Sequence, residues 1–172
     1  MIIWMWFFII FIICQRLLEL VVAKRNERWM KQRGGIEIGA NHYRWFIVLH
    51  TLFFISIIAE IATNGFVYLQ VNYFLLCLFI LTQIGRVWCI YTLGRFWNTK
   101  IIVLPGVSLI KKGPYKYVKH PNYIIVGIEL FIIPLLLGAY FTMIIFPILH
   151  IILLRIRVPS ENKALNKKVM ST

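Results

Sequence analysis

The sequence predicts an all-α integral membrane protein, a bundle of about five transmembrane helices whose last two form a tight hairpin. Three observations predict it. Of 172 residues, 60% are hydrophobic and only 15% are charged, which is too apolar for an ordinary soluble domain. The apolar residues gather into runs near the ~20 residues that cross a ~30 Å hydrocarbon layer. The basic residues fall between those runs in three separated blocks. The length suggests a single domain over residues 1–172.

The first span is expected at about 2–23, with Gln15, Arg16 and Glu19 near its end. Its apolar run has no basic start and no small-residue cleavage site, so no cleaved leader is expected. "KQRGGIEIGA", residues 31–40, has the glycine content of a flexible loop. The second span is expected at about 45–63 and the third at about 69–94. A polar loop follows over 95–122. The apolar run from Tyr123 to Leu154 is read as two spans, with one very long helix as the alternative. Gly138-Ala139 divides it into spans 123–137 and 139–154, and a tail follows over 155–172. Each half is short, roughly 24 Å at 1.5 Å per residue, and Pro134 and Pro147 are tolerable within it.

Charge placement tests this map. Lys24, Arg25, Arg28, Lys31, Arg33 and Arg44 lie at the first link. Arg95, Lys100, Lys111, Lys112, Lys116 and Lys119 lie between spans three and four, and five more cations follow span five. The links 64–70 and 137–140 carry no charge. The positive-inside rule then places all three blocks in the cytoplasm, with five spans, the N-terminus outside and the C-terminus inside. The net charge of +13 is thus read as topology, with anionic membrane lipids as counter-charges, and no nucleic-acid partner is expected. Cys14, Cys77 and Cys89 all sit in apolar runs without ligand spacing. They predict small buried residues, with no metal site and no disulfide framework.

Chemistry is sought in the polar exceptions. "GPYKYVKHPNY", residues 113–123, stands at the boundary of span four. Gly113-Pro114 marks a turn. Pro121 suits a first helical position, which makes His120 the N-cap. The free N–H groups and positive dipole end of such a helix suit a ligand carboxylate. Tyr115, Tyr117 and Tyr123 offer rings and hydroxyls, although aromatic and lysine anchors are also common at membrane interfaces. Arg86 and Glu129 lie at similar depths inside spans three and four, ~12 Å from the inner surface. They either pair with each other or bracket a substrate's polar head. Glu19 reads as interfacial, Glu60 as snorkelling or capping, and His50 and His150 as packed histidines. In "RVPSENKAL", residues 157–165, Arg157 and Glu161 share a face if a helix spans them, which Pro159 leaves open.

These pieces resemble the isoprenylcysteine carboxyl methyltransferase family of small multispan enzymes. "GPYKYVKHPNY" is similar to the family's G-x-Y-x-x-x-R/K-H-P-x-Y, "GRVWCIYTLGRFWNTKIIVLPGVSLIKKG" to its upstream stretch, and "RVPSENKAL" to its Arg-x-x-x-Glu element. The resemblance covers about Gln83 to Leu165. It implies that Val107, Ser108, Leu109, Ile110, Tyr115, His120, Pro121, Asn122, Tyr123 and Glu161 contact S-adenosylmethionine. It also implies that Arg157 faces the substrate and that Arg86 is required for activity. Glu129, at a depth similar to that of Arg86, is the candidate for orienting an arginine or the acceptor. Two departures stand out: Glu161-Asn162 replaces a glutamate pair, and the tail after Leu165 is short.

The N-terminal half, with "RLLELVVAKRNERWM" and "HYRWFIVLHTLFF", looks more like the bacterial branch. Members of that branch resemble O-methyltransferases of long-chain polyketides such as alkylpyrones and alkylresorcinols. The resemblance therefore implies a lipophilic enol, phenol or carboxylate acceptor, an alkylpyrone or an isoprenylcysteine-like molecule, and a polyketide synthase as a partner supplying it. Phospholipid N-methylation and a non-catalytic transporter or scaffold are the alternatives. A cationic amine should avoid an arginine-lined pocket, and no internal repeat of the transporter kind is visible.

Overall fold

The computed structural model describes residues 2–64, 70–107 and 110–169, with only the backbone at 2, 40–42 and 166–169. Five helices dominate: α1 (Ile2–Lys31), α2 (Ala40–Thr63), α3 (Tyr73–Leu93), α4 (Pro121–Leu136) and α5 (Tyr140–Val169). Four of them carry stretches long and apolar enough to cross a membrane: Ile3–Lys31, Tyr43–Thr63, Tyr73–Phe96 and Tyr140–Leu165. The fifth, α4, is apolar but shorter. The expected all-α bundle is therefore the observed one.

Each helix boundary has a local cause. Asn72 caps α3, its Oδ1 accepting from Phe74 N at 3.1 Å and Leu75 N at 3.2 Å, which satisfies two otherwise unpaired first-turn amides. Pro121 opens α4 as its first residue, after His120. Gly138 takes a φ of 68°, a left-handed conformation that glycine adopts without strain. It turns the chain between α4 and α5 within three residues, and Ala139 N returns to Pro134 O at 2.8 Å. That is the tight hairpin expected at Gly138-Ala139. Glu60 at the end of α2 caps the start of α5. It accepts from Phe141 N at 2.9 Å and from Thr142 N and Oγ1 at 3.0 and 2.9 Å.

The core runs along helical faces at spacings of three and four. Met5, Ile9 and Ile12 of α1 meet Leu49, Phe53 and Ile57 of α2, Phe79 of α3, Leu130 and Ile133 of α4 and Phe146 of α5. The opposite faces are equally apolar and exposed, as at Phe7, Phe11, Leu18, Ile55 and Ile84. Such a surface belongs in lipid rather than water.

Three sequence expectations are corrected. Residues 31–40 do not form a plain loop: Ile36–Ile38 is a strand, β1, paired antiparallel with β2 (Ile101–Val103), Ile36 opposite Val103. Alternating apolar side chains cover β2 with Ala164 of α5, so a three-residue strand finds tertiary support. Cys14 and Cys77 are exposed on apolar helix faces, and only Cys89 is buried. Pro159 does not end the last helix, since α5 continues through it to Val169. The residues expected as a separate tail are thus an extension of α5 as far as they are described.

Candidate active site

Two polar assemblies lie within this apolar bundle. The first is an ion network across α1, α3 and α4. Glu129 Oε1 accepts from Arg86 Nε at 3.1 Å and Gln83 Nε2 at 2.7 Å. Its Oε2 accepts from Arg86 Nη2 and from Arg16 Nη2, the latter at 2.8 Å. Glu19 takes Arg16 Nη1 on both oxygens and Arg86 Nη1 at 3.1 Å. Gln15 Nε2 donates to Gln83 Oε1 at 2.6 Å. Arg86 and Glu129 are 3% and 2% exposed, and the half-buried Arg16 and Glu19 beside them bring the network to two positive and two negative charges.

Of the two readings of Arg86 and Glu129, the structure has them paired. All four acceptor positions of Glu129 are taken by Arg86, Arg16 and Gln83. Glu19 was expected at the interface and instead belongs to this network. Arg16, Gln15 and Gln83 were missed as partners.

The second assembly gathers the motif residues at the start of α4 and the far part of α5. Tyr123 hydroxyl donates to Glu161 Oε2 and accepts from Arg157 Nε at 2.7 Å. Arg157 Nη2 donates to Thr99 O at 2.5 Å, and its guanidinium lies 4.8 Å from the Phe46 ring and 5.5 Å from the Tyr123 ring. His120 stacks on Tyr123, with ring centroids 5.3 Å apart. His120 Nε2 lies 3.2 Å from Asn162 Oδ1 and its Nδ1 lies 3.7 Å from Glu161 Oε1. Asn162, which stands where the resemblance expects a second glutamate, is therefore used.

The helix through Pro159 carries this geometry, because it puts Arg157 and Glu161 one turn apart facing the same tyrosine. Gly113 holds the motif turn against α3. Its φ is 51°, and a Cβ there would lie 2.6 Å from Thr92 Oγ1. Tyr115 lies against Cys89 of α3; burial first, and Cys89 second, push its hydroxyl above the ordinary tyrosine value. It stays protonated at neutral pH and can donate.

The remaining predicted residues fall as follows. Pro121 is buried, and Asn122 Oδ1 is buried with no partner among the described residues. Val107 is exposed and Ile110 half-buried. Ser108 and Leu109 lie outside the described residues. His50 and His150 are packed as expected: His50 Nδ1 lies 2.8 Å from Phe46 O and His150 Nε2 lies 3.2 Å from Tyr123 O. Phe46 and Thr99, which grip Arg157, carry no sequence signal.

Residues 74–167 match the Isoprenylcysteine carboxyl methyltransferase (ICMT) family. The chain belongs to that family. The match takes in all of α4 and nearly all of α3 and α5, and with them Arg86, Glu129, the 113–123 motif, Arg157 and Glu161. Two bacterial relatives match almost end to end. The protein YpbQ of Bacillus subtilis (strain 168), described as uncharacterized, is 44% identical over 94% of this chain and 96% of its own length. A protein of Haemophilus influenzae, also described as uncharacterized, is 25% identical over 90% of this chain and 91% of its own. This isoprenylcysteine carboxyl methyltransferase family member is a membrane protein with a methyltransferase architecture.

Proposed function

We propose that this chain is an integral membrane O-methyltransferase that uses S-adenosylmethionine and a lipophilic enol, phenol or carboxylate acceptor. The observation that carries the reading is the convergence of His120, Tyr123, Arg157 and Glu161 at one end of the α4–α5 hairpin.

The residues present fit the cofactor. His120 makes no side-chain cap to α4, so the positive end of that helix is open to a carboxylate. Asn122 Oδ1 is a buried acceptor without a donor among the described residues, the kind of group that requires a partner. An ammonium group would satisfy it. The Tyr115 ring and Glu161 would flank the remainder. When bound, S-adenosylmethionine supplies an electrophilic methyl group on a cationic sulfur.

The chain then has to hold the acceptor oxygen, exclude water and balance charge. Arg157 spends Nε and Nη2 on Tyr123 and Thr99. Its Nη1 makes no hydrogen bond among the described residues and is available to an acceptor oxyanion. An enol or carboxylate is readily ionised, so no strong base is needed. Glu129, fully engaged by Arg16, Gln83 and Arg86, acts through those partners and not on the acceptor directly. A cationic amine acceptor would face Arg157 unfavourably, which supports O- over N-methylation.

The three basic blocks support a cytoplasmic site with the N-terminus outside and the apolar substrate entering from the bilayer between helices. A polyketide synthase would supply an alkylpyrone acceptor. Calorimetry on detergent-purified protein tests the cofactor: binding is expected, and His120→Ala should weaken it by about tenfold or more. No binding by the parent protein would overturn the proposal. Incubation with labelled cofactor and an alkylpyrone, in parallel with phosphatidylethanolamine, distinguishes the acceptor classes.

A further inference from the structure

A cavity of about 540 Å³, with Thr99 in its lining, lies between α1, the start of α2 and the segment before β2. Lys24, Arg28, Lys31 and Lys100 line it, with Tyr43 and Thr99. Its size falls within the range of small-molecule sites, roughly 300–1,000 Å³.

The four cations are not equivalent. Lys31 and Lys100 are locked in a ring with two glutamates. Lys31 Nζ reaches Glu27 at 2.5 Å and Glu37 at 2.6 Å, and Lys100 Nζ reaches Glu27 at 2.8 Å and Glu37 at 3.2 Å. That ring is neutral and braces the cavity wall. Lys24 and Arg28 make no ion pair among the described residues, although they stand one turn apart on the same face of α1. Among the described residues the cavity therefore carries two positive charges without an ion-pair partner, one helical turn apart on α1.

Its surroundings decide the source of the anion. The apolar run of α1 ends at Ala23, immediately before Lys24. Leu20 lines the cavity, and Leu17 and Val21 beside it are 56% and 65% exposed. An anionic head in the cavity would continue directly onto an apolar surface facing lipid.

We propose that this cavity is a binding site for the anionic headgroup of a membrane phospholipid, held by Lys24 and Arg28, with its acyl chains along Leu17, Leu20 and Val21. The site shares Thr99 with the Arg157 assembly, but the two cations that would hold the headgroup are not among the methyl-transfer residues, and the proposal does not depend on that reading. A solvated basic face, the ordinary reading of such residues, would not require an open recess of this size beside a neutral charge ring.

Native mass spectrometry of the full chain, released from detergent with dioleoylphosphatidylglycerol or dioleoylphosphatidylcholine, tests it. The anionic lipid should be retained preferentially. Lys24→Gln/Arg28→Gln should lower its affinity by about 30-fold, from two cations near an anionic surface. Lys111→Gln/Lys112→Gln, a basic pair outside the cavity, should leave retention unchanged. Equal retention of the two lipids, unchanged retention in the Lys24/Arg28 variant, or equal loss in the Lys111/Lys112 variant would each overturn the proposal. Protection from thermal unfolding by inorganic phosphate as strong as that by phosphatidylglycerol would assign the cavity to a soluble anion instead. Both double variants are exposed substitutions and should melt like the parent in lipid-free detergent, which separates lost binding from lost folding.

Discussion

Substituting Glu129→Gln keeps the shape of the side chain and removes one of two negative charges from the network around Arg86. Glu129 accepts two hydrogen bonds from Arg86, one from Arg16 and one from Gln83. Without its charge, Arg16 and Arg86 share Glu19 alone, and one positive charge is stranded where Arg86 is 3% exposed. Removing one partner of a buried pair costs about 3–5 kcal/mol. For a domain of this size that is a fall in Tm of about 6–20 °C, readable by differential scanning fluorimetry in detergent. Removing one charge of each sign is a different perturbation. Arg86→Met/Glu129→Leu leaves Arg16 paired with Glu19 at 2.9 Å and should melt within about 2 kcal/mol of the parent, because apolar replacements of buried pairs are often nearly neutral. Methyl transfer measured on the double variant then isolates Arg86: a stable fold without activity places Arg86 in the reaction, and a stable active protein confines it to structure. The reasoning fails if Glu129→Gln alone melts like the parent, or if the double variant is as unstable as the single one.

Tyr123→Phe removes the hydroxyl that joins Glu161 to Arg157, and should weaken cofactor binding about tenfold or more by calorimetry. An unchanged dissociation constant would separate that tyrosine from the site. Glu60→Ala strips three hydrogen bonds from the start of α5 and should cost about 1–2 kcal/mol in thermal unfolding while leaving cofactor affinity intact. Gly113→Ala forces a Cβ to 2.6 Å from Thr92 Oγ1 at a positive φ; a cost of about 1–3 kcal/mol and weaker cofactor binding are expected. The ring of Lys31, Lys100, Glu27 and Glu37 sets a pH window for the β1–β2 pair. Hydrogen bonding to Lys31, above all, holds the Glu37 carboxyl below its ordinary 4.5, so its contribution is present above that value and is lost as pH falls through the lowered one. Burial pulls the Lys100 ammonium down, but Glu27 and Glu37 outweigh it and raise it above 10.5, so its contribution is present below that value and is lost as pH rises through the raised one. Methyl NMR shifts of Ile36 and Ile38 should therefore hold steady near neutrality, and a transition there would refute the assignment.

How much was legible in the sequence follows from the range of each interaction. Apolar runs and Gly138 mark helices and a turn locally, so the bundle and its last hairpin can be read directly. Arg86 and Glu129 stand out because an ionisable residue in an apolar run is rare. Their partners do not: Arg16 is 113 positions from Glu129, and at the end of an apolar run a cation looks interfacial. The strands Ile36–Ile38 and Ile101–Val103 are three residues each and depend on one another and on Ala164, so neither carries a period of its own. Tyr123, Arg157 and Glu161 are legible as a motif, yet only the helix through Pro159 places the last two on one side. Phe46 and Thr99 grip Arg157 through a ring face and a backbone carbonyl, which no side-chain pattern announces.

The balance of Arg16, Glu19, Arg86 and Glu129 has an electrical consequence. A single elementary charge feels ~2.3 kcal/mol per 100 mV of transmembrane potential. A cluster summing to zero feels almost none as a unit, and the energised membrane does no net work on it. The polar network of this bundle therefore offers the membrane potential no net charge to act on, whereas Glu129→Gln would leave it with one.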